Sequence, residues 1–219
     1  RLRRLRTWTP GPGSVELQAS DDEASSNTLL DLASNDYLGL SRNPFLITAA
    51  QSAMKSEGVG AGGSRFVTGS RPTHKKLEAA LSDWLGRKSV FVFPSGFQAN
   101  LAGIMAIANR NTPVFADRLS HHSLLTGFHA SGAKVQRFAH NDLLELKHLL
   151  EKYRQNSYKE SPLVITESLF SMEGTSPPLS QMAEICATHG ARLFVDEAHA
   201  LGVIGPEGRG LCYGVYEPI

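Results

Sequence analysis

The chain has 219 residues, 41% hydrophobic and 20% charged, with 22 Lys+Arg against 21 Asp+Glu. That is the composition of a globular chain with one substantial core rather than a disordered one, and the balanced charge argues against a nucleic-acid binder driven by phosphate neutralisation. The cysteines, Cys186 and Cys212, build no disulfide framework, so a reducing cytoplasmic setting is expected, and no apolar run reaches the roughly 18 residues that would suggest a membrane span.

The sequence opens at Arg1 rather than Met, and its natural start is expected further upstream. "RLRRLRTW" reads as a solvated helix face, with a basic arm or the remnant of a targeting segment as the other readings. "TPGPGS" and "ASDDEASSN" read as loops. Residues 1–43 are therefore an N-terminal segment, and residues 44–219 a large domain.

In "NPFLITAAQSAMKSEG", Asn43 is placed to cap a helix, Pro44 to open it and Gly58 to follow its end. The glycines Gly58, Gly60, Gly62, Gly63 and Gly69 that follow suit positive φ and close backbone approach. In the next helix Thr73 can cap, Leu77, Leu81, Trp84 and Leu85 share a face, and Gly86 stops it. A β-rich run, "SVFVF" (residues 89–93), precedes the helical "FQANLAGIMAIAN". "PVFAD" precedes a helix from about Ser120, "KVQRF" one around residues 143–153, and "LVITE" one around residues 180–189; "RLFVD" closes the series. Short apolar strands alternating with helices predict an α/β fold with a mostly parallel sheet covered on both faces.

In such sheets ligands gather beyond the carboxyl ends of the strands. The candidates there are Ser95-Gly96-Phe97, Asp117 with Ser120 and His121, Glu167 with Ser171, and Asp196 with His199. Asp196-Glu197-Ala198-His199 also spells a magnesium-binding motif of helicases. A nucleotide hydrolase needs a phosphate cradle of the type G-x-x-x-x-G-K-[ST], and no Gly-Lys pair occurs in the chain. A metal site from His121, His122, Asp196 and His199 lacks a His-x-x-x-His pair, and none is expected. Pyridoxal phosphate makes better use of these groups. It needs a carboxylate beside its ring nitrogen, a flat partner over the ring, and backbone N–H groups at a helix start for its phosphate.

"SNDYLGLS", "GAGGSRFVTGS", "HKKLEAALSDWLG", "FPSGFQAN", "ADRLSHHSLLTG", "RFAHND", "TESLFSMEGTSPPL" and "VDEAHALGVIGPEGRG" follow one another in order across residues 32–212. Together they resemble the α-oxoamine synthases, pyridoxal-phosphate enzymes of the aspartate-aminotransferase fold type (fold type I). Ser95-Gly96-Phe97 and "RFAHND" look most like the branch that joins L-alanine to pimeloyl-CoA or a pimeloyl carrier protein in biotin synthesis.

The resemblance implies roles residue by residue. His121 would stack on the pyridoxal ring, whereas His122 stands where the family often has a small residue. Gly96 and Phe97 would lie at the phosphate end, and Ser171 close to the cofactor. Asp196 would partner the ring nitrogen and His199 the phenolic oxygen, as the catalytic pair. Glu197 replaces a common Asp, with little consequence expected. Arg3 or Arg4 would bind substrate carboxylate, and Asn35 and Tyr37 are substrate-side candidates. Taken singly, Asp196 also reads as a cap on the following turn, His199 as a structural histidine, Gly96 as a tight turn and Ser171 as a loop hydrogen-bonder.

The family's Schiff-base lysine follows the Asp-x-x-His block by about thirty residues. The last lysine here is Lys159, in a polar loop and no substitute for it, so the sequence reads as a fragment of a longer homodimeric enzyme that lacks the small C-terminal domain. As given, it is expected to be inactive. The remaining alternatives are an α-oxoamine synthase using glycine or serine, and an inactive binding or dimerisation module.

Overall fold

The computed structural model describes residues 5–11, 16–19, 28–155 and 160–215. Arg3, Arg4 and Lys159 lie outside them. The chain divides into two compact units, Arg1–Pro72 and Thr73–Ile219.

The first unit carries an antiparallel sheet in the order β1-β2-β3, from β1 (Trp8–Pro10), β2 (Glu16–Ala19) and β3 (Thr28–Leu30). Trp8 is thus in a strand, where a helix face was expected. The helix α1 (Pro44–Glu57) starts and stops as its punctuation dictates: the Asn43 side chain accepts from the Phe45 N–H, and Gly58 follows the end at φ 81°. Close approach is real in the glycine loop, because a Cβ at Gly69 would overlap the Gly63 carbonyl.

The second unit is built on a four-stranded, all-parallel sheet in the order β5-β4-β6-β7. Its strands are β4 (Pro113–Asp117), β5 (Lys134–Phe138), β6 (Leu163–Glu167) and β7 (Arg192–Asp196). Its helices are α2 (Pro72–Leu85), α3 (Gly96–Ile107), α4 (His122–Ser131), α5 (Leu143–Gln155) and α6 (Leu179–Thr188). Side chains of alternate parity leave each strand on opposite faces. Val114, Ala116, Leu163 and Ile165 accordingly pack with Ile104, Leu124 and Phe128 of α3 and α4. Phe115 and Val164 pack with Leu146, Leu150 and Met182 of α5 and α6. The sheet is covered on both faces, as the apolar strands predicted.

Two local expectations are corrected. The helix α2 starts at Pro72, so Thr73 lies inside it rather than capping it; proline suits a first helical position because it has no N–H to leave unpaired. Residues 89–93 form no strand. A strand needs a neighbour, and no strand pairs with this run among the described residues; instead the Val92 N–H donates to Glu78 Oε1 at 3.0 Å. No helix among the described residues is long and apolar enough to cross a membrane.

Candidate active site

Parallel pairing brings the carboxyl ends of β4, β6 and β7 side by side, each finishing on an acid: Asp117, Glu167 and Asp196. Glu167 and Asp196 are direct register partners. The helices α3 and α4 begin at the same rim.

Asp117 is fully buried and serves the architecture. It accepts the Leu119 N–H at 2.9 Å and the Asn141 N–H at 2.9 Å, and its Oδ1 lies 3.1 Å from His140 Nδ1. His140 Nε2 in turn lies 2.8 Å from Thr175 Oγ1, and its ring meets Phe170 edge-on. The "HND" turn thereby ties the loop after β6, which carries the exposed Ser171, to the end of β4.

Asp196 is half-buried. Its Oδ1 accepts the Ala198 N–H at 2.9 Å, so it does cap the following turn; its Oδ2 accepts Asn100 Nδ2 at 2.7 Å. The same nitrogen reaches Ser123 Oγ at 2.9 Å, and Ser123 Oγ lies 2.7 Å from His121 Nδ1. His121 is also the N-cap of α4, its Nδ1 taking the Ser123 N–H at 3.3 Å. An unbroken chain of hydrogen bonds thus joins Asp196 to His121. A carboxylate has about four acceptor sites and Asp196 uses two, leaving capacity for a cationic N–H.

The His121 N–H donates to Glu167 Oε1 at 2.7 Å. Glu167 is buried, and its carboxyl is pushed up to about 7. Burial is the main cause, partly offset by the His121 N–H and reinforced by the negative charges of Asp196, Asp117 and Glu173.

Gly96 and Phe97 are the first two residues of α3, both exposed. Ser95 Oγ accepts the Gln98 N–H at 3.2 Å, and the two amides before it have no carbonyl one turn back. A Cβ at Gly96 would meet nothing within 4 Å, so the helix start is open to an anion. His199 is half-buried in the turn after β7. Glu197 points the other way: its Oε1 accepts the Cys212 N–H at 3.0 Å, and a Cβ at Gly210 would strike its carboxylate. Its task is to fold the chain after β7 back on itself. Tyr37 and Asn35 touch each other in the first unit, hydroxyl to Oδ1 at 3.4 Å. A cleft of about 480 Å³ beside Arg110, Lys134 and Tyr153 lies at the opposite, amino end of the strands and is no part of this rim.

Asn100 and Ser123 were missed by sequence reasoning. Asn100 stood inside the quoted "FPSGFQAN", one helical turn beyond Phe97, but nothing local says that its partner is an Asp from another strand.

The family model of the class I and II aminotransferases matches residues 27–214. Among curated proteins, an 8-amino-7-oxononanoate synthase of Photobacterium profundum is 44% identical over 185 residues, 84% of this chain and 47% of that protein. One from Klebsiella pneumoniae is 46% identical over 190 residues, 87% of this chain and 48% of that protein. The chain therefore spans about half the length of the curated relatives it matches. Among solved structures, a serine palmitoyltransferase variant from S. paucimobilis with a bound PLP–myriocin aldimine superposes with a TM-score of 0.88 at 30% identity, over 96% of this chain and 52% of that one. An 8-amino-7-oxononanoate synthase from Francisella tularensis superposes with a TM-score of 0.70 at 28% identity, over 84% of this chain and 49% of that one. The expected aminotransferase-type architecture is the observed one.

Proposed function

Because the chain belongs to the class I and II aminotransferase family, we propose that its second unit holds pyridoxal phosphate at the strand-end rim and serves a decarboxylative condensation of L-alanine with a pimeloyl thioester, giving 8-amino-7-oxononanoate for biotin synthesis. The observation that carries the reading is the hydrogen-bonded chain from Asp196 through Asn100 and Ser123 to His121. It places an acceptor carboxylate and an exposed imidazole at one rim, where a flat cationic heterocycle needs one at its edge and the other over its face.

The residues fit the group. Asp196 Oδ2, already held by Asn100, offers a lone pair to a protonated ring nitrogen and stabilises that proton electrostatically. His121 offers a ring face at the start of α4. The open Gly96-Phe97 amides suit a phosphate, and His199 and Ser171 are proposed for the cofactor's remaining polar atoms. When bound, pyridoxal phosphate supplies the sink for the electron pair released at the amino acid's α-carbon. The chain's own part is to hold the ring flat, keep its nitrogen protonated and hold the phosphate.

The chain spans about half the length of the curated relatives it matches, and turnover is proposed for the full-length protein, acting as a homodimer. Arg3 or Arg4 is proposed for the substrate carboxylate.

The test is product formation by the full-length protein, offered L-alanine, glycine or L-serine with pimeloyl-CoA, pimeloyl carrier protein or palmitoyl-CoA. Carbon dioxide release with L-alanine and a pimeloyl thioester is expected. The structural likeness to serine palmitoyltransferase favours a second reading, in which L-serine and palmitoyl-CoA are preferred. No condensation with any pair would remove both.

A further inference from the structure

We propose that Asn100 is a positioning residue that decides which ring nitrogen of His121 carries the proton. The inference deepens the reading of this rim as the cofactor site, but its hydrogen bonds stand without that reading.

Asn100 Nδ2 faces Asp196 Oδ2 at 2.7 Å and Ser123 Oγ at 2.9 Å. A carboxylate accepts and does not donate, so the Asn100 atom turned towards it is the NH₂ group and not the amide oxygen. That group has two hydrogens. One goes to Asp196 and the other to Ser123, whose hydroxyl oxygen therefore accepts.

Ser123 is 1% exposed, so its own O–H cannot turn to bulk water. Among the described residues, the other side-chain partner of that hydroxyl is His121 Nδ1 at 2.7 Å. If Nδ1 carried a hydrogen, Ser123 Oγ would receive two donors and its buried O–H would be left without an acceptor. The Ser123 backbone N–H adds a second constraint. It also points at Nδ1, at 3.3 Å, and a backbone N–H can only donate. Both groups need a lone pair on Nδ1, and the ring's proton then belongs on Nε2.

Donation spreads from Asn100 to both sides: Asn100 donates to Asp196 on one side and to Ser123 on the other, and Ser123 donates in turn to His121 Nδ1. The carboxylate at the end of β7 thus orients an imidazole at the start of α4 although the two never touch. The rim acquires a fixed N–H donor at Nε2, with His121 exposed.

The prediction can be read by nitrogen NMR of ring-labelled histidine in the full-length, cofactor-free protein, with His121→Gln supplying the assignment. Wild type should show Nδ1 without a proton and Nε2 with one. Asn100→Asp puts an acceptor where the donor was. The Ser123 O–H should turn to it, the Oγ lone pair should face Nδ1, and the two ring nitrogens should exchange character. Adding Ser123→Ala to Asn100→Asp removes the hydroxyl, leaves the backbone N–H, and should restore the wild-type pattern.

The idea is overturned by a wild-type proton on Nδ1, by an unchanged pattern in folded Asn100→Asp, or by a double variant that keeps the Asn100→Asp pattern. Should Asn100→Asp fail to melt cooperatively, Asn100→Leu removes the donor without adding charge. It should raise the fraction of His121 protonated on Nδ1 above wild type without making it the major form, because the Ser123 N–H still donates to Nδ1, and a fraction unchanged from wild type overturns the idea too. Pyridoxal phosphate titrated into the same samples separates the two readings. The expected tautomer without binding would sink the cofactor assignment alone.

Discussion

Glu167 Oε1 takes the His121 N–H at 2.7 Å from a buried position beside Asp196, its register partner on β7. One acid therefore fixes the backbone at the start of α4, inside a rim that already holds two other carboxylates.

That placement has a pH signature. The Glu167 carboxyl is raised from 4.5 to about 7, so between those values the folded protein binds a proton that the unfolded chain releases. Stability therefore falls as pH rises through this window and levels off above it. Glu167→Gln should keep the acceptor for His121 and flatten the dependence, gaining on the order of 2 kcal/mol near pH 8. Urea melts of both proteins at pH 5 and pH 8 read this directly, and parallel profiles would contradict it.

Asp196→Asn tests the ring-nitrogen role. The one amide oxygen can serve either the Ala198 N–H or Asn100, not both, so the fold should survive at a modest loss of stability. The amide cannot hold a proton on the ring nitrogen, so turnover of the full-length enzyme should drop by at least about 10²-fold, with weaker cofactor retention. Near-wild-type product formation would remove Asp196 from that role.

His121 and His122 are neighbours with different surroundings. His121 caps α4 and is tied to Ser123, while His122 is the first residue inside the helix and is exposed. His121→Ala should shift the visible absorption of the bound cofactor and weaken its retention through dialysis. His122→Ala should do little. Equal effects would mean that the stacking position has been misplaced.

Packing offers a test independent of function. A Cβ at Gly127 of α4 would come within 3.0 Å of Ile104 Cβ and Cδ1 on α3. Both residues are buried. Gly127→Leu should force the two helices apart and cost about 1–3 kcal/mol in a denaturant melt. Because α3 carries Asn100, the same variant should also loosen cofactor binding.

The parts of the molecule legible in the sequence were those set by neighbours in the chain. Asn43, Pro44 and Gly58 bounded α1, and apolar runs ending on an acid marked β4, β6 and β7. What failed depended on partners elsewhere. Residues 89–93 have strand-like composition but no strand beside them among the described residues. The sheet β1-β2-β3 went unseen because β1 and β3 are exposed along their whole length and show no apolar alternation. At the site, Asp196 and His121 stood out by position and resemblance. Asn100 and Ser123 did not, since an Asn one turn into a helix is unremarkable until the carboxylate it meets is known.

Parallel strand order also governs when this rim can come into being. His121 meets Glu167 across 46 residues and Asn100 meets Asp196 across 96. During synthesis at about 5–20 residues per second, Asn100 waits roughly 5–20 s before the aspartate that will hold it has even been made. Each such contact also closes a long loop, which slows folding of the isolated chain. The helices α3 and α4 can pair early around Gly127 and Ile104, but the polar chain between Asn100 and His121 has no anchor until β7 docks against β6. The docking of β7 is thus the step that turns a packed but chemically mute intermediate into a candidate site.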